Sequence, residues 1–173
     1  MANDSLQPLH ADDLATVRAW RNHPDVRRHM FSTHTITEAE HQQWFARQQA
    51  DPTRRLWLFR RAGQPLGFVH FSGVAAGGVA EWGFYAAPGA PKGTGSALCR
   101  AALARAFGSE LLHKVCGQVL AGNAASLALH RRLGFVQEGL LRQQHRSGDT
   151  YHDVLCFGLL RADWPGPVQE TTP

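Results

Sequence analysis

The segment Ala90–Phe107, APKGTGSALCRAALARAF, opens a long helical run on two closely spaced glycines, Gly93 and Gly95. The first N–H groups of a helix have no intrahelical partner, and the helix dipole adds partial positive charge to them. Such an end suits an anion, usually a phosphate. Spacing excludes two common phosphate-binding signatures. A nucleoside-triphosphate loop needs a lysine directly after its last glycine, whereas Lys92 precedes Gly93. A dinucleotide fingerprint needs a third glycine where Leu98 stands, and an acid ending a second strand further on. The nearest acid, Glu110, follows Phe-Gly-Ser, a helix-ending sequence.

Around this segment the hydrophobic period changes twice. DSLQPLH predicts a short first strand, and ADDLATVRAWRN a helix with Leu14, Val17 and Trp20 on one face. Pro24 opens a second short helix, PDVRRHM, and Thr37-x-x-Glu40 is a capping box for a third. Three β segments follow, Leu56–Arg60, Leu66–Phe71 and Val79–Tyr85, separated by glycine-containing turns, which predicts an antiparallel meander. After the glycine-opened helix come a strand KVCGQVL and a helix opened by Asn123. Two β segments hinged at Ser-Gly-Asp close the order. A strand, helix, strand sequence in the middle sets Val79–Tyr85 parallel to Lys114–Leu120.

With 173 residues, 43% hydrophobic and 18% charged, the chain is expected to fold as one domain over 1–162 with a flexible tail over 163–173. Cys99, Cys116 and Cys156 are isolated, odd in number and set in apolar contexts. That fits free thiols in a reducing cytoplasm better than disulfides or a metal site. The ten histidines show no metal-ligand spacing, so no metal is expected. No leader pattern and no bilayer-length apolar run is present, so a cytoplasmic protein without membrane contact is expected. The net charge of +4 rests on 16 arginines against 2 lysines. Arginine suits bidentate contact with phosphate or carboxylate, although a solvated basic surface accounts for the same excess. No run of five basic residues occurs, so nucleic acid is not an expected partner.

Thirty residues past Gly93 lies NAASLALHRRLGFVQEG, Asn123–Gly139. Asn123 is a good N-cap, Ser126 sits one turn in, and Gly134 suits a left-handed stop. Each half alone describes only a well-capped helix. Together, strand, proline, Gly-x-Gly, helix, strand and Asn-x-x-Ser-x-x-Leu-His-x-Arg-x-Gly-Phe resemble the GNAT superfamily of acyl-CoA-dependent N-acetyltransferases, over about Arg54 to Leu160.

The resemblance implies an α/β (α+β) fold, with a mixed, mainly antiparallel central sheet of about seven strands and helices on both faces. It implies acetyl-CoA as co-substrate, its pyrophosphate on the amides of Lys92, Gly93, Thr94, Gly95, Ser96 and Ala97. Where the family usually carries Gln or Arg three residues before the first glycine, this chain has Ala90, leaving Lys92 to supply charge. It also implies a bulge that splays Val79–Tyr85 from Val115–Leu120. Pantetheine would then lie along the backbone of Phe84, Tyr85 and Ala86, beside Asn123 and Ser126. In the family the amine attacks directly, and the lack of a nucleophile elbow or Cys/His pair agrees. Glu81 occupies the family's usual base position and would act through a water; a solvent-facing strand carboxylate is the other reading. His130 stands where the family more often has a tyrosine. It is either the proton donor to the leaving thiolate or a packing residue.

The N-terminal half narrows the acceptor. WRNHPDVRRHMFSTHTITEAEHQQWF looks like the opening of the sugar-nucleotide N-acetyltransferases of pseudaminic-acid biosynthesis. These acetylate the 4-amino group of UDP-4-amino-4,6-dideoxy-N-acetyl-β-L-altrosamine, a precursor of a flagellin-decorating nonulosonic acid. The resemblance rests on Trp20-Arg21-Asn22, Met30-Phe31, His41 with Trp44, and the last hairpin. It implies Arg21 against the diphosphate, Trp44 or Phe31 on uracil or sugar, and His41 donating to phosphate or base. Met30 and Phe31 also read as a hydrophobic plug, and Trp44 as core. A protein N-terminal or ribosomal-protein acetyltransferase, and a non-catalytic acyl-CoA-binding module, are the competing functions. Monomer and homodimer both fit.

Overall fold

The computed structural model describes residues 3–166. Strand β1, Asp4–Pro8, leads through a 3₁₀ turn, Ala11–Asp13, into α1, Leu14–Asn22. Pro24 sits at the start of α2, which stops at Arg27, earlier than its sequence suggests. Helix α3, Glu38–Ala50, carries the full capping box: Thr37 Oγ1 accepts from the Glu40 amide, and Glu40 Oε2 accepts from the Thr37 amide at 2.7 Å. The meander is β2, Arg55–Arg61, β3, Gln64–Ser72, and β4, Val79–Ala86. Then come α4, Thr94–Phe107, β5, Lys114–Leu120, and α5, Ala124–Arg132. The hairpin β6, Val136–Ser147, and β7, Thr150–Leu160, ends the described sheet.

The seven strands form one sheet in the order β1-β2-β3-β4-β5-β7-β6. Its one parallel pair is β4 with β5, as expected, but the pairing covers only Val79↔Lys114, Ala80↔Val115 and Glu81↔Cys116. The expected bulge in β4 is absent: β4 runs in unbroken register with β3 from Gly67↔Ala86 to Ser72↔Glu81. β4 stays in register with β3, and β5 with β7 over Lys114–Leu120, so the sheet parts between them without a register break in either.

Alternate side chains point to opposite faces of a strand, and the sheet accordingly carries two cores. Val69, Phe71, Trp82, Val115 and Phe157 pack beneath α4 and α5 with Leu98, Leu103 and Leu129. On the opposite face, Leu58 and Phe68 pack with Val17 of α1 and Phe45 of α3. Trp164 of the expected tail packs on the larger core, its ring 6.1 Å from Phe107, while residues 167–173 lie outside the described residues. Among the described residues no helix is long and apolar enough to cross a membrane. All three cysteines are free thiols.

Candidate active site

The parting of β4 and β5 creates a slot through the sheet. Beyond Glu81, β4 has a partner only in β3. The Ala87 amide donates to the Leu66 carbonyl at 2.8 Å, and strand amides alternate in direction. The amides of Phe84 and Ala86 therefore turn away from β3, toward the space β5 has left. A cavity of about 730 Å³ passes through this slot, bounded by α3 on one side and by Asn123, Ser126 and His130 of the α5 segment on the other. Glu81, Phe84 and Tyr85 line it; Ala86 does not.

The glycine loop lies beyond the cavity's end. Gly93 caps α4 with φ 91°, a left-handed conformation that an L side chain resists. Of the six amides expected to face a phosphate, two are already engaged. Thr94 donates both its N–H (3.1 Å) and its hydroxyl (2.7 Å) to the Pro91 carbonyl, and Ala97 donates to Gly93 at 3.0 Å. Thr94 is also fully buried. The amides of Lys92, Gly93, Gly95 and Ser96 have no protein partner among the described residues. Two free N–H groups ahead of a 14-residue helix and two in its first turn fit a pyrophosphate.

Glu81, Cys116 and Glu138 line the cavity floor, and the row Glu81, Cys116 continues across β7 to Gly158. Gly158 lacks a side chain for a visible reason: a Cβ there would stand 2.5 Å from the Glu138 carboxylate. Glu138 is the extra residue of a bulge between Gln137 and Gly139 on β6. The bulge lays its carboxylate over Gly158, where it meets Lys114 Nζ at 2.7 Å. Burial raises the Cys116 thiol pKa; Lys114 opposes that, and Glu138 and Glu81 reinforce it. The thiol is thus held protonated and is not a nucleophile.

His70 of β3 stands over Gly83 of β4, its register partner. A Cβ on Gly83 would lie 2.4 Å from His70 Nε2, so glycine is what admits the ring. Burial, with Arg54 adding, pushes the His70 pKa down to about 4, so the imidazole is neutral at pH 7. Sequence reading missed His70, Gly83 and Glu138. Their signal lies in cross-strand register, which motif spacing does not reveal.

His130 is 2% exposed, with both ring nitrogens engaged. Nδ1–H donates to the Ser126 carbonyl at 2.9 Å, and Nε2 accepts from the Trp82 indole N–H at 3.2 Å. Burial lowers its pKa; the Ser126 bond opposes that only in part. With both nitrogens engaged and burial disfavouring the charged ring, the geometry favours the packing reading over that of proton donor. Asn123 does cap α5, accepting from the Ser126 amide at 3.2 Å, while lining the cavity.

The roof is built by α1, α3 and the segment between α2 and α3. Arg21 Nη2 donates to the Ser32 carbonyl at 2.6 Å, and Asn22 exchanges two hydrogen bonds with the Ile36 backbone. The Trp-Arg-Asn run thus staples that segment over the cavity. Arg21 lines the cavity, and its Nη1 is sealed from solvent without a partner among the described residues, a donor left for a ligand. His41 is buried and stacks on Trp44 at 5.0 Å; Trp44 in turn meets Phe68 edge-on. Trp44 packs on the smaller core and also lines the cavity. Met30 and Phe31 both line the cavity; Phe31 is 47% exposed and stands against His145 at the rim. Exposed Arg47 also reaches the lining, a cation that no motif marked.

A family model described as an acetyltransferase (GNAT) domain matches residues 5–136. Acetyltransferase PseH of Campylobacter jejuni is 26% identical over 127 residues, covering 73% of this chain and 79% of PseH. YdaF of Bacillus subtilis, provisionally named a ribosomal N-acetyltransferase, is 33% identical over 75 residues. That match spans 43% of this chain and only 41% of YdaF. Among solved structures, spermidine N-acetyltransferase from Vibrio cholerae, in complex with CoA and spermine, superposes with a TM-score of 0.85 at 23% identity, over 92% of this chain and 96% of that one. An N-acetyltransferase from Staphylococcus aureus Mu50 gives 0.77 at 22% identity, over 92% and 99%. These structural likenesses are of fold. The chain belongs to the GNAT acetyltransferase family.

Proposed function

We propose that this GNAT-family chain transfers an acetyl group from acetyl-CoA to a primary amine by direct attack. We further propose that the amine is the 4-amino group of UDP-4-amino-4,6-dideoxy-N-acetyl-β-L-altrosamine, in pseudaminic acid biosynthesis. The transfer reading is carried by the slot beyond Glu81↔Cys116, which leaves a free strand edge between a phosphate-suited helix start and a carboxylate-bearing floor.

Acetyl-CoA supplies an activated acyl group. The chain's part is to bind, orient and move protons. The amides of Lys92, Gly93, Gly95 and Ser96 hold the pyrophosphate, and the outward amides of Phe84 and Ala86 bond an extended arm as a neighbouring strand would. The same edge offers N–H groups to charge developing on the carbonyl oxygen. Asn123 and Ser126 flank the arm. Glu81, exposed at the last paired position of the slot, takes the ammonium proton through a water. His130 has no proton role; it holds Trp82 in the slot wall.

The sugar nucleotide is supported by the resemblance of the N-terminal segment to pseudaminic-pathway enzymes, and by the likeness to PseH along 73% of the chain. In this reading Trp44 covers the sugar or base, Met30 and Phe31 form the apolar rim, and His41 offers a hydrogen bond. Arg21 and Arg47 line the cavity and lend positive charge along it. A second reading, acetylation of a protein N-terminus, is favoured by the shorter but more identical match to YdaF. Thiol release from acetyl-CoA by the purified protein, with the UDP-amino sugar and separately with N-terminal peptides, tests both. Turnover on peptides alone overturns the sugar reading, and coenzyme binding without turnover on any amine overturns the transfer reading.

A further inference from the structure

We propose that a second, narrower pocket beside the main cavity is the anion subsite of the acceptor, so that the substrate presents an amine to one end of a continuous site and a phosphate to the other. This rests on the acyl-transfer reading above and gives the acceptor's chemical class from a separate set of residues.

The pocket, about 170 Å³, lies between the α2–α3 segment and the outer part of the β6–β7 hairpin. It shares His29, Met30, Leu120 and Asn123 with the main cavity, so the two are continuous. The polar side chains that only this pocket adds are Arg28, Thr33, His145, Ser147 and His152. No carboxylate lines it, whereas Glu40, Glu81 and Glu138 line the main cavity.

The donor cluster is built by a distortion of β6. Register with β7 breaks between Leu141 and His145, and Gln143 within the break has φ 51°. A non-glycine residue in that region is strained and needs support. Support comes from Asp153, whose Oδ1 accepts the Gln143 amide at 2.7 Å. Bulges bend a hairpin and re-aim its side chains. Pairing resumes at His145↔His152, whose rings stand 6.4 Å apart on one face. His145 closes the side near the roof, its ring 5.3 Å from Phe31.

Opposite, Arg28 Nε donates to His29 Nε2 at 3.2 Å, which leaves the Nδ1–H of a neutral His29 as a donor. Asp25 lies 3.6 Å from Arg28 but is not part of the pocket wall. A guanidinium, three imidazoles and two hydroxyls offer many N–H and O–H groups and no anionic acceptor. An oxyanion with several oxygens satisfies such a set, and a phosphate or diphosphate is the biological group of that shape. A polyamine or a peptide amino terminus does not.

The test uses the full chain saturated with coenzyme A, so that the coenzyme's own phosphate site is filled. UDP and inorganic pyrophosphate are titrated calorimetrically into the wild type, Arg28→Ala and the double variant His145→Gln/His152→Gln. We expect both ligands to bind the wild type, each at least tenfold more weakly to either variant, with coenzyme affinity unchanged. Arg28 is 65% exposed, so its variant keeps the fold even if the double variant does not. Unchanged affinity in Arg28→Ala overturns the proposal. So does pyrophosphate that fails to bind the wild type, or binds all forms equally. The outcome is separable from that of thiol release: turnover on an amine by a protein whose variants bind pyrophosphate like the wild type would refute the subsite and keep the transfer reading, and turnover on phosphate-free peptides alone would overturn both the sugar reading and the acceptor subsite.

Discussion

The Trp82 indole N–H donates to His130 Nε2 at 3.2 Å, and Gly117 is the residue that lets the two meet. A Cβ on Gly117 would lie 2.7 Å from the indole nitrogen and 2.9 Å from the imidazole nitrogen. Three residues on β4, β5 and α5 thus form one fixed piece of the slot wall.

His130→Ala should lower stability by about 2–4 kcal/mol, through a cavity and an unsatisfied indole N–H. Gly117→Ala should destabilise too, by forcing the pair apart. Neither should remove a limb from the pH–rate profile of kcat/KM. Loss of the alkaline limb in folded His130→Ala would restore the proton-donor role.

Glu81→Gln should lower kcat by roughly 10²–10³-fold, the usual worth of a positioned base. Its acetyl-CoA dissociation constant, read by calorimetry, should match the wild type. A loss below about tenfold would leave Glu81 as an ordinary strand carboxylate.

Gly93→Ala should weaken coenzyme A several-fold. No neighbour lies within 4 Å of the added Cβ, so the effect is backbone strain at φ 91°, worth about 1–2 kcal/mol. Lys92→Ala should instead flatten the salt dependence of binding while leaving Tm unchanged.

His70 makes stability depend on pH. Its folded-state pKa of about 4 lies below the ordinary 6.5, so between those values the unfolded chain binds a proton that the folded chain refuses. Stability is full above pH 6.5 and is lost as pH falls toward 4, by on the order of 3 kcal/mol. Burial lowers His29, His41 and His130 in the same direction. Thermal melts of His70→Gln between pH 4 and 7 should show a shallower slope than the wild type. Parallel slopes would refute the assignment.

Gly158→Ala should raise the KM of the acceptor without altering coenzyme affinity. The added methyl occupies the place of the Glu138 carboxylate and expels it from the floor, and its exposed ion pair with Lys114 contributes under about 1 kcal/mol to stability. An unchanged acceptor KM would show that Glu138 stands clear of the substrate.

Local signals in the chain were sufficient for the elements. Thr37 and Asn123 act at a helix start through bonds to near neighbours, Pro24 and Gly93 through backbone conformation, and each is found in that role. Strand pairing was legible where glycine-containing turns joined neighbours. The site was legible only where motif and geometry coincide, as at Gly93 and Asn123. His130 shows the limit: its residue type suits ligand chemistry, but Ser126 and Trp82 engage both of its ring nitrogens. His70 became visible only through the absence of a side chain on Gly83, two strands' register away from any motif.

The brevity of the β4–β5 ladder has an energetic consequence. A guest lying along β4 tears no existing bond, because the ladder has already ended at Glu81↔Cys116. The two parts of the sheet stay aligned through a common interior, in which Trp57 and Val69 from one part share a cluster with Val119 and Phe157 from the other. The seam is left unstitched by the fold itself, so association spends little on reorganisation and more of the contact energy remains as affinity.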